Sequence, residues 1–193
     1  MKFTPHQTRA FTVKANGTLH ALVSDISISE AYDPLSGLPG PTMKAYMALW
    51  DTGATGTVIS RRIAQELNIQ STGRQRVQVV GSGGQPHEYD TDTYLVNLYL
   101  PNKVAIAGVR VSEGEVAGAD VLVGMDVITG GDLAITNESG KTQWTFRVPP
   151  NESIDFVEEI NEYNKKHPPP MSPEEMRRQR GKRKAESRKR RGK

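Results

Sequence analysis

The sequence predicts an all-β domain, mostly antiparallel, with one or two short helices and a C-terminal basic tail that is helical or disordered. Short apolar runs of strand character recur as far as residue 148, and Gly, Asn and Pro residues separate them. In that part of the chain, one short stretch has helical spacing. After the prolines at 149 and 150 the composition becomes strongly charged, which indicates that the domain ends there.

Length and composition narrow the function. The 193 residues suit one domain with appendages, and the absence of cysteine excludes a disulfide framework, a thiolate nucleophile and a cysteine metal site. The four histidines are scattered, so we expect no metal site and no cofactor. No apolar run reaches the ~18 residues of a membrane span, and the N-terminal residues do not resemble a signal peptide. We therefore expect an intracellular protein, cytoplasmic by default, or nuclear if the source is eukaryotic.

The N-terminal third is predicted to be a series of strands. Residues 11–14 and 19–30 have strand character, and Asn16-Gly17 between them is typical of a hairpin turn. Residues 33–41 are rich in Pro and Gly and are predicted to be a loop. Residues 43–50 then form a strand that leads into an aspartate.

That aspartate, Asp51, lies in a glycine-containing turn, and a second apolar run from Thr57 to Ser60 leaves the turn. A carboxylate between two buried strands is costly unless hydrogen bonds or a shared proton manage its charge. Catalysis is one reason to accept that cost. An ordinary Asx-type turn is the alternative explanation.

The middle of the chain begins with the helical stretch. Residues 61–67 place apolar side chains four apart, with Ser60 as the N-cap and an end near Asn68. Residues 75–100 form a predicted hairpin with a glycine-rich tip. A phosphate-binding loop is disfavoured there, because no Lys-Ser/Thr and no helix follow the glycines, whereas an ordinary surface hairpin stays open. Pro86 is expected to interrupt strand pairing beside the tip, because proline lacks the N–H group.

The last part of the domain contains more strands. Residues 104–111 are a predicted strand, and residues 119–128 are an apolar run interrupted by Gly124. Residues 133–136 and 142–148 are predicted to form a closing hairpin. Beyond the domain, residues 153–164 have weak helical amphipathicity.

Three of these segments, in this order, resemble the retroviral-type (retropepsin) aspartic proteases. Asp51-Thr52-Gly53-Ala54 is similar to the active-site loop, the glycine-rich hairpin to the substrate-covering flap, and Val121 to Asp126 to the second family hallmark. The resemblance covers about residues 20–148 and is strongest over 43–130. It implies a single-lobe acid protease fold of closed or orthogonal sheets over residues 1–150, with its core at about 19–148. A short helix over 151–167 and a proline linker with a basic tail over 168–193 complete the predicted organisation.

The resemblance also implies an aspartic endopeptidase that works with two carboxylates sharing one proton. This chain carries one Asp-Thr-Gly motif, so the chemistry requires a homodimer, with a peptide or protein as substrate. The segment that builds the dimer contact stays open among the N-terminal residues, the C-terminal residues and the predicted helix after Ser153. The resemblance assigns catalytic roles to Asp51, Thr52 and Gly53, substrate binding to Ala54, Thr55, Gly81, Ser82, Gly83, Gly84 and Val123, and structural support of the site to Gly124 and Asp126.

The C-terminal tail differs from the rest of the chain in charge. Residues 165–193 hold 13 Lys and Arg against 3 Asp and Glu, a net +10, whereas residues 1–164 hold 12 against 19, a net −7. Such a tail favours nucleic acid as a partner, through phosphate contacts. A nuclear-import signal, an anionic-membrane contact, a self-processing site and a merely solubilising tail are alternatives. The candidate contacts are Lys182, Arg183, Lys184, Arg188, Lys189, Arg190 and Arg191.

Two alternatives to a protease remain. One is a retropepsin-like dimerisation or peptide-binding module with weak or lost catalysis. The other is a nucleic-acid-binding protein whose β domain is only a scaffold. The intact Asp51-Thr52-Gly53 motif favours the protease over the first alternative, because a binding module has no reason to keep a costly carboxylate.

Overall fold

The computed structural model describes residues 8–37, 39–80 and 86–191, with side chains for all of these except 34, 80, 86 and 183–191. The strands of this part of the chain are β1 (Arg9–Lys14), β2 (Leu22–Glu30), β3 (Met43–Trp50), β4 (Val58–Ile59), β5 (Gly73–Val80), β6 (Pro86–Leu100), β7 (Val104–Glu113), β8 (Val121–Val123), β9 (Asp132–Thr136) and β10 (Gln143–Val148). The α-helices are α1 (Arg61–Leu67), α2 (Met125–Ile128), α3 (Phe156–Lys166) and α4 (Pro173–Arg191).

Six strands form a closed ring. They pair in the order β2-β3-β8-β4-β7-β6, and β6 pairs back onto β2. β5 extends the same sheet by pairing with β6, and a separate sheet has the order β1-β10-β9. The predicted all-β fold class is confirmed. Closure matters because it satisfies the backbone hydrogen bonds of the ring strands without an open edge.

Alternation along the strands fills the interior. In β2 the side chains of Ile26 and Ile28 are buried, whereas the side chain of Asp25, which lies on the opposite face of the strand, is exposed. An aromatic cluster joins the smaller sheet to β3, because Phe11, Trp50, Trp144 and Phe146 place their ring centroids 4.9–6.3 Å apart. These rings are at most 5% exposed, so they anchor the strand that leads into Asp51.

The predicted hairpin between the first two strands is wrong. β1 pairs antiparallel with β10, from Arg9 opposite Val148 to Lys14 opposite Gln143. The residues after β1 bond to the loop before β10, since Ala15 N–H donates to the Thr142 carbonyl and Thr142 N–H donates to that of Gly17. Burial of the Phe11 ring therefore outweighs the local turn preference of Asn16-Gly17.

Two other local predictions have clear outcomes. The helix over 61–67 is confirmed, with Ser60 extended before it and Asn68 left-handed (φ 51°) after it. The Ser60 hydroxyl makes no capping hydrogen bond, although its position is that of an N-cap. The expected interruption at Pro86 is wrong, because Pro86 is the first residue of β6, opposite Val80, where a strand tolerates proline.

The predicted closing hairpin is confirmed as β9 and β10, which pair antiparallel from Gln143 opposite Thr136 to Arg147 opposite Asp132. Arg147 also forms an ion pair with the Asp132 carboxylate. The backbone N–H of Asn151 and the Arg147 guanidinium both donate to that carboxylate and hold the pKa of Asp132 below its usual value. This pair fixes the end of the domain.

The chain divides into two compact units, residues 1–152 and 153–193. In the second unit, the Asp155 carboxylate caps α3 by accepting from the N–H groups of Val157 and Glu158. A reciprocal capping box of Ser172 and Glu175 begins α4. Within the described residues, no helix combines the length and the apolar composition needed to cross a bilayer.

Candidate active site

The Asp51 loop begins where β3 meets β8. The two strands are parallel, with Trp50 opposite Val123, and the N–H of Asp51 donates to the Val123 carbonyl over 3.0 Å. The Gly53 N–H donates to Asp51 Oδ1 over 2.7 Å, which orients the carboxylate. A Cβ at Gly53 would lie 3.1 Å from the same oxygen. Asp51 is half-buried, whereas Thr52 and Gly53 are exposed, so the loop presents its motif at the protein surface.

The loop leaves on the other side of β8. β4 pairs antiparallel with β8, with Val58 opposite Leu122 and Ile59 opposite Val121. β8 is therefore the central strand of three, with β3 on one side and β4 on the other. This arrangement makes the loop cross the end of β8, so the position of Asp51 depends on a segment far away in the sequence.

Gly124, directly after β8, lies against the loop backbone. A Cβ there would lie 2.6 Å from both the carbonyl carbon and the oxygen of Gly56, which no side chain can occupy. The N–H of Met125 donates to the Ala54 carbonyl over 2.8 Å, and that of Asp126 donates to the Thr55 carbonyl over 3.2 Å. The start of α2 thus holds the loop by main-chain contacts that need a residue without a side chain at 124.

A buried threonine completes this support. The hydroxyl and the N–H of Thr57 both donate to the Asp126 carboxylate, over 2.8 and 3.1 Å. The same hydroxyl accepts from the N–H of Gly124. Thr57 is 1% exposed, so these bonds are shielded from water. Sequence reasoning named Asp126 but missed Thr57, whose signal is a polar side chain at the start of an apolar strand.

The substrate-binding assignment of Val123 is not supported, because its side chain is fully buried in the barrel. Alternation along β8 places Leu122 on the other face, where it is half-buried. Leu49 and Val58 lie opposite Leu122 on the two flanking strands and are also half-buried. This apolar row, rather than Val123, lies on the outward face of the strands that hold the loop. The other predicted side chains of the loop are half-buried at Ala54 and exposed at Thr55.

The β5–β6 hairpin leads toward the glycine-rich segment. Its register runs from Gly73 opposite Thr93 to Val80 opposite Pro86. Its exposed face carries the ion pairs Arg74–Asp92 (3.5 Å) and Arg76–Asp90 (3.2 Å). The candidate residues Gly81, Ser82, Gly83 and Gly84 lie outside the described residues. The candidate cations of the tail lie in α4, where the side chain of Lys182 is exposed.

A polar cluster sits at the base of this hairpin. Glu113 accepts hydrogen bonds from Arg61 over 2.7 Å and from the Tyr94 hydroxyl over 2.8 Å. Burial opposes ionisation of Glu113, but these two bonds outweigh it and hold its pKa below the ordinary value. Burial and the bond to Glu113 raise the pKa of Tyr94 to about 12. The cluster ties α1 and β6 to the end of β7, which is paired with β4.

The described residues contain no group of three or more His, Asp or Glu side chains placed to hold a metal ion. The loop itself offers a carboxylate, that of Asp51, which the main-chain N–H of Gly53 positions. A closed β-barrel with an Asp-Thr-Gly loop, supported by a glycine at the end of the neighbouring strand, defines an aspartyl-protease-like domain.

The family comparison agrees with this class. The model described as "gag-polyprotein putative aspartyl protease" matches residues 43–129, which span β3 to the end of α2. This part of the chain is therefore similar to that aspartyl protease family. A comparison with curated proteins found no match.

Similar solved structures include three distant ones. A retropepsin-like aspartic protease from Rickettsia conorii is 10% identical, with 74% of this chain and 96% of that chain covered and a TM-score of 0.44. The retroviral protease-like domain of Ddi1 from Leishmania major is 13% identical, with 61% and 82% covered and a TM-score of 0.36. A protein of unknown function from Legionella pneumophila is 19% identical, with 44% and 74% covered and a TM-score of 0.28.

Proposed function

We propose that this protein is an aspartic endopeptidase that acts as a homodimer, with Asp51 of each subunit at one shared site. The observation that carries the proposal is the Asp51 loop itself. Its carboxylate is oriented by the Gly53 N–H, and its backbone is held by Val123, Met125 and Asp126. A half-buried carboxylate on a loop held this firmly, at the surface and beside an apolar row, suits catalysis better than an ordinary turn.

The proposed mechanism needs both carboxylates. Two like charges at hydrogen-bonding distance titrate in separate steps, so the pair carries one proton at mildly acidic pH. The ionised Asp51 takes a proton from water, and the water oxygen attacks the carbonyl carbon of the substrate. The protonated Asp51 of the other subunit gives its proton to the carbonyl oxygen. The tetrahedral intermediate then collapses and the C–N bond breaks. The leaving amine takes the proton that the first Asp51 gained from water, and one hydroxyl of the intermediate returns its proton to the Asp51 of the other subunit as the carbonyl re-forms.

Other residues have supporting roles in this proposal. The exposed Thr52 lies beside Asp51, where its hydroxyl is free to contact the loop of the second subunit. In this proposal the β5–β6 hairpin acts as a flap over the bound peptide. Leu49, Val58 and Leu122 favour substrates with apolar side chains near the cut.

The test uses mixtures of wild type with the Asp51→Asn variant. Hydrolysis of a mixed peptide pool between pH 4 and 7 is measured while the variant is added in excess and the total chain concentration is held constant. A shared site predicts that activity per wild-type chain falls to about a tenth when one chain in ten is wild type, because most wild-type chains then pair with the variant.

Two results would contradict the proposal. Constant activity per wild-type chain in the mixtures would place a complete site within one chain. A monomer in solution together with absence of hydrolysis would leave the Asp51 loop without its second carboxylate. Addition of bovine serum albumin in place of the variant is the control for dilution effects.

A second function is favoured by the composition of α4, which we propose binds nucleic acid through its phosphates. The helix sequence holds 10 Lys and Arg against 3 Asp and Glu. The helix sequence contains few apolar residues, which disfavours insertion into a membrane surface. No aromatic residue follows Tyr163, so base stacking is not expected.

This second proposal predicts a strong salt dependence. For a single-stranded oligonucleotide, we expect log Kd to rise by about 0.7 per phosphate contact for each tenfold increase in salt concentration. Glutamine at Lys182, Arg183 and Lys184 should reduce that slope by about 2. Glutamine at Arg74 and Arg76, which are exposed on β5, is the control and should leave the slope unchanged. A slope that all variants share would contradict the proposal.

A further inference from the structure

α3 carries an apolar face that is open to solvent. Phe156, Val157, Ile160 and Tyr163 are 66%, 70%, 51% and 57% exposed. Phe156, Ile160 and Tyr163 are spaced by four and three residues, so they lie on one side of the helix, with Val157 beside them. An amphipathic helix normally buries such a face against another element. The face is therefore suited to a helical partner.

The charged residues of α3 indicate which partner fits. Glu159 and Lys166 are seven residues apart, about two helical turns, and so flank the same edge of the apolar face. When two identical helices pack antiparallel, this edge of one lies against the same edge of the other. Glu159 of each copy then faces Lys166 of its mate, and the symmetric arrangement forms this attraction twice.

A parallel arrangement of the two helices does not form these attractions between Glu159 and Lys166. It brings this edge of the first helix against the opposite edge of the second, where Val157 and Asn164 lie. The acidic first half and the basic second half of α3 would also lie beside their own counterparts, because Glu158 and Glu159 begin the helix and Lys165 and Lys166 end it. The charge pattern thus favours the antiparallel pair.

We propose that α3 pairs antiparallel with α3 of a second copy of this chain. The choice of a second copy rests on the proposed function, which needs a homodimer, and on the self-complementary charges of the helix edge. A contact between two identical helices in a closed dimer lies on a two-fold axis. An 11-residue helix is too short to associate strongly alone, so the pairing adds to a contact made elsewhere in the chain.

The experiment measures self-association of the full chain by sedimentation equilibrium at low salt. Glu159→Lys places lysines at both 159 and 166. Lys166→Glu places glutamates at both and also removes the ion pair of Lys166 with Glu162 within the helix (3.8 Å). Each variant alone should therefore dimerise about tenfold more weakly than wild type. An equimolar mixture of the two variants should regain the wild-type affinity, because opposite charges again meet in the mixed dimer.

Matched controls lie on the neighbouring residues. Glu158→Lys and Lys165→Glu make the same charge changes one residue earlier in the helix, on the side away from the apolar face. These controls should leave the dimer constant within twofold of wild type. Ile160→Asp tests the face itself, and its 51% exposure means that the unpaired chain loses little packing. Circular dichroism checks that every variant stays folded.

The outcomes separate this inference from the proposed function. If Glu159→Lys, Lys166→Glu and Ile160→Asp dimerise as tightly as wild type, the α3 pairing is wrong, whereas Asp51-dependent hydrolysis would still support the protease. If these variants weaken a dimer that shows no hydrolysis, the pairing stands and the proposed function fails. Failure of the mixture to regain affinity overturns the antiparallel pairing, and a monomeric wild type overturns the pairing altogether.

Discussion

Asp51→Asn is expected to lower peptide hydrolysis by at least about 10²–10⁴-fold, the range for loss of a general acid–base group. In a homodimer this one substitution removes both carboxylates of the pair, so neither the proton acceptor nor the proton donor remains. Asparagine keeps an oxygen that can accept the 2.7 Å hydrogen bond from the Gly53 N–H. The loop should therefore keep its shape while the chemistry is lost.

The measurement is the initial rate on a peptide pool, together with the thermal midpoint of each protein. Asp25→Asn is the matched control. It makes the same chemical change in the same barrel, at a residue that is exposed on β2. Its rate and its midpoint should equal those of wild type. Equal hydrolysis by Asp51→Asn and wild type would show that the activity belongs to another group or to a contaminant.

Gly124→Ala is expected to destabilise the domain by about 1–3 kcal/mol or more, the typical cost of forcing a methyl group into a packed site. The added Cβ would lie 2.6 Å from the backbone of Gly56. The backbone at 124 is extended (φ −93°, ψ −176°), so the penalty comes from space and not from torsion. The loop backbone cannot easily move away from the added methyl group, because the N–H groups of Met125 and Asp126 hold it by hydrogen bonds. Urea denaturation measures the loss.

The other side of the same contact supplies the control. A Cβ at Gly56 would meet nothing within 4 Å, so Gly56→Ala should change stability by no more than about 0.5 kcal/mol. The two substitutions are chemically identical and lie against one another, which makes the expected contrast specific to geometry. Equal stability of the two variants would mean that the loop and the start of α2 do not touch as described.

Local patterns were enough to predict much of this fold. The alternation in β2, the cap positions around α1 and the turn between β9 and β10 each depend on residues close in sequence, and the structure confirms these elements. The pairing of β1 with β10 could not be predicted in this way. It depends on Phe11 reaching Trp144 and Phe146, which are more than a hundred residues further along the chain.

The same distinction holds for the site. The Asp-Thr-Gly motif and Gly124 could be found from residue type and order. The outward-facing side of β8 could not be predicted from the sequence. A strand of three residues shows too little alternation to decide whether Val123 or Leu122 lies inside the barrel. The bond from Thr57 to Asp126 was equally hidden, since both residue types are ordinary at a strand or helix start and only the closed barrel brings them together.

The insertion of β8 between β3 and β4 has a consequence for the order in which a newly synthesised chain folds. The strands on either side of the loop are neighbours in sequence, yet each must wait for residues 121–123 before it gains its partner there. Closing so long a stretch of chain is entropically slow, and it follows the formation of nearby hairpins. A polypeptide still emerging from the ribosome therefore contains the Asp-Thr-Gly motif long before it contains residues 121–123. The Asp51 loop can take its final conformation only after most of the domain has been synthesised.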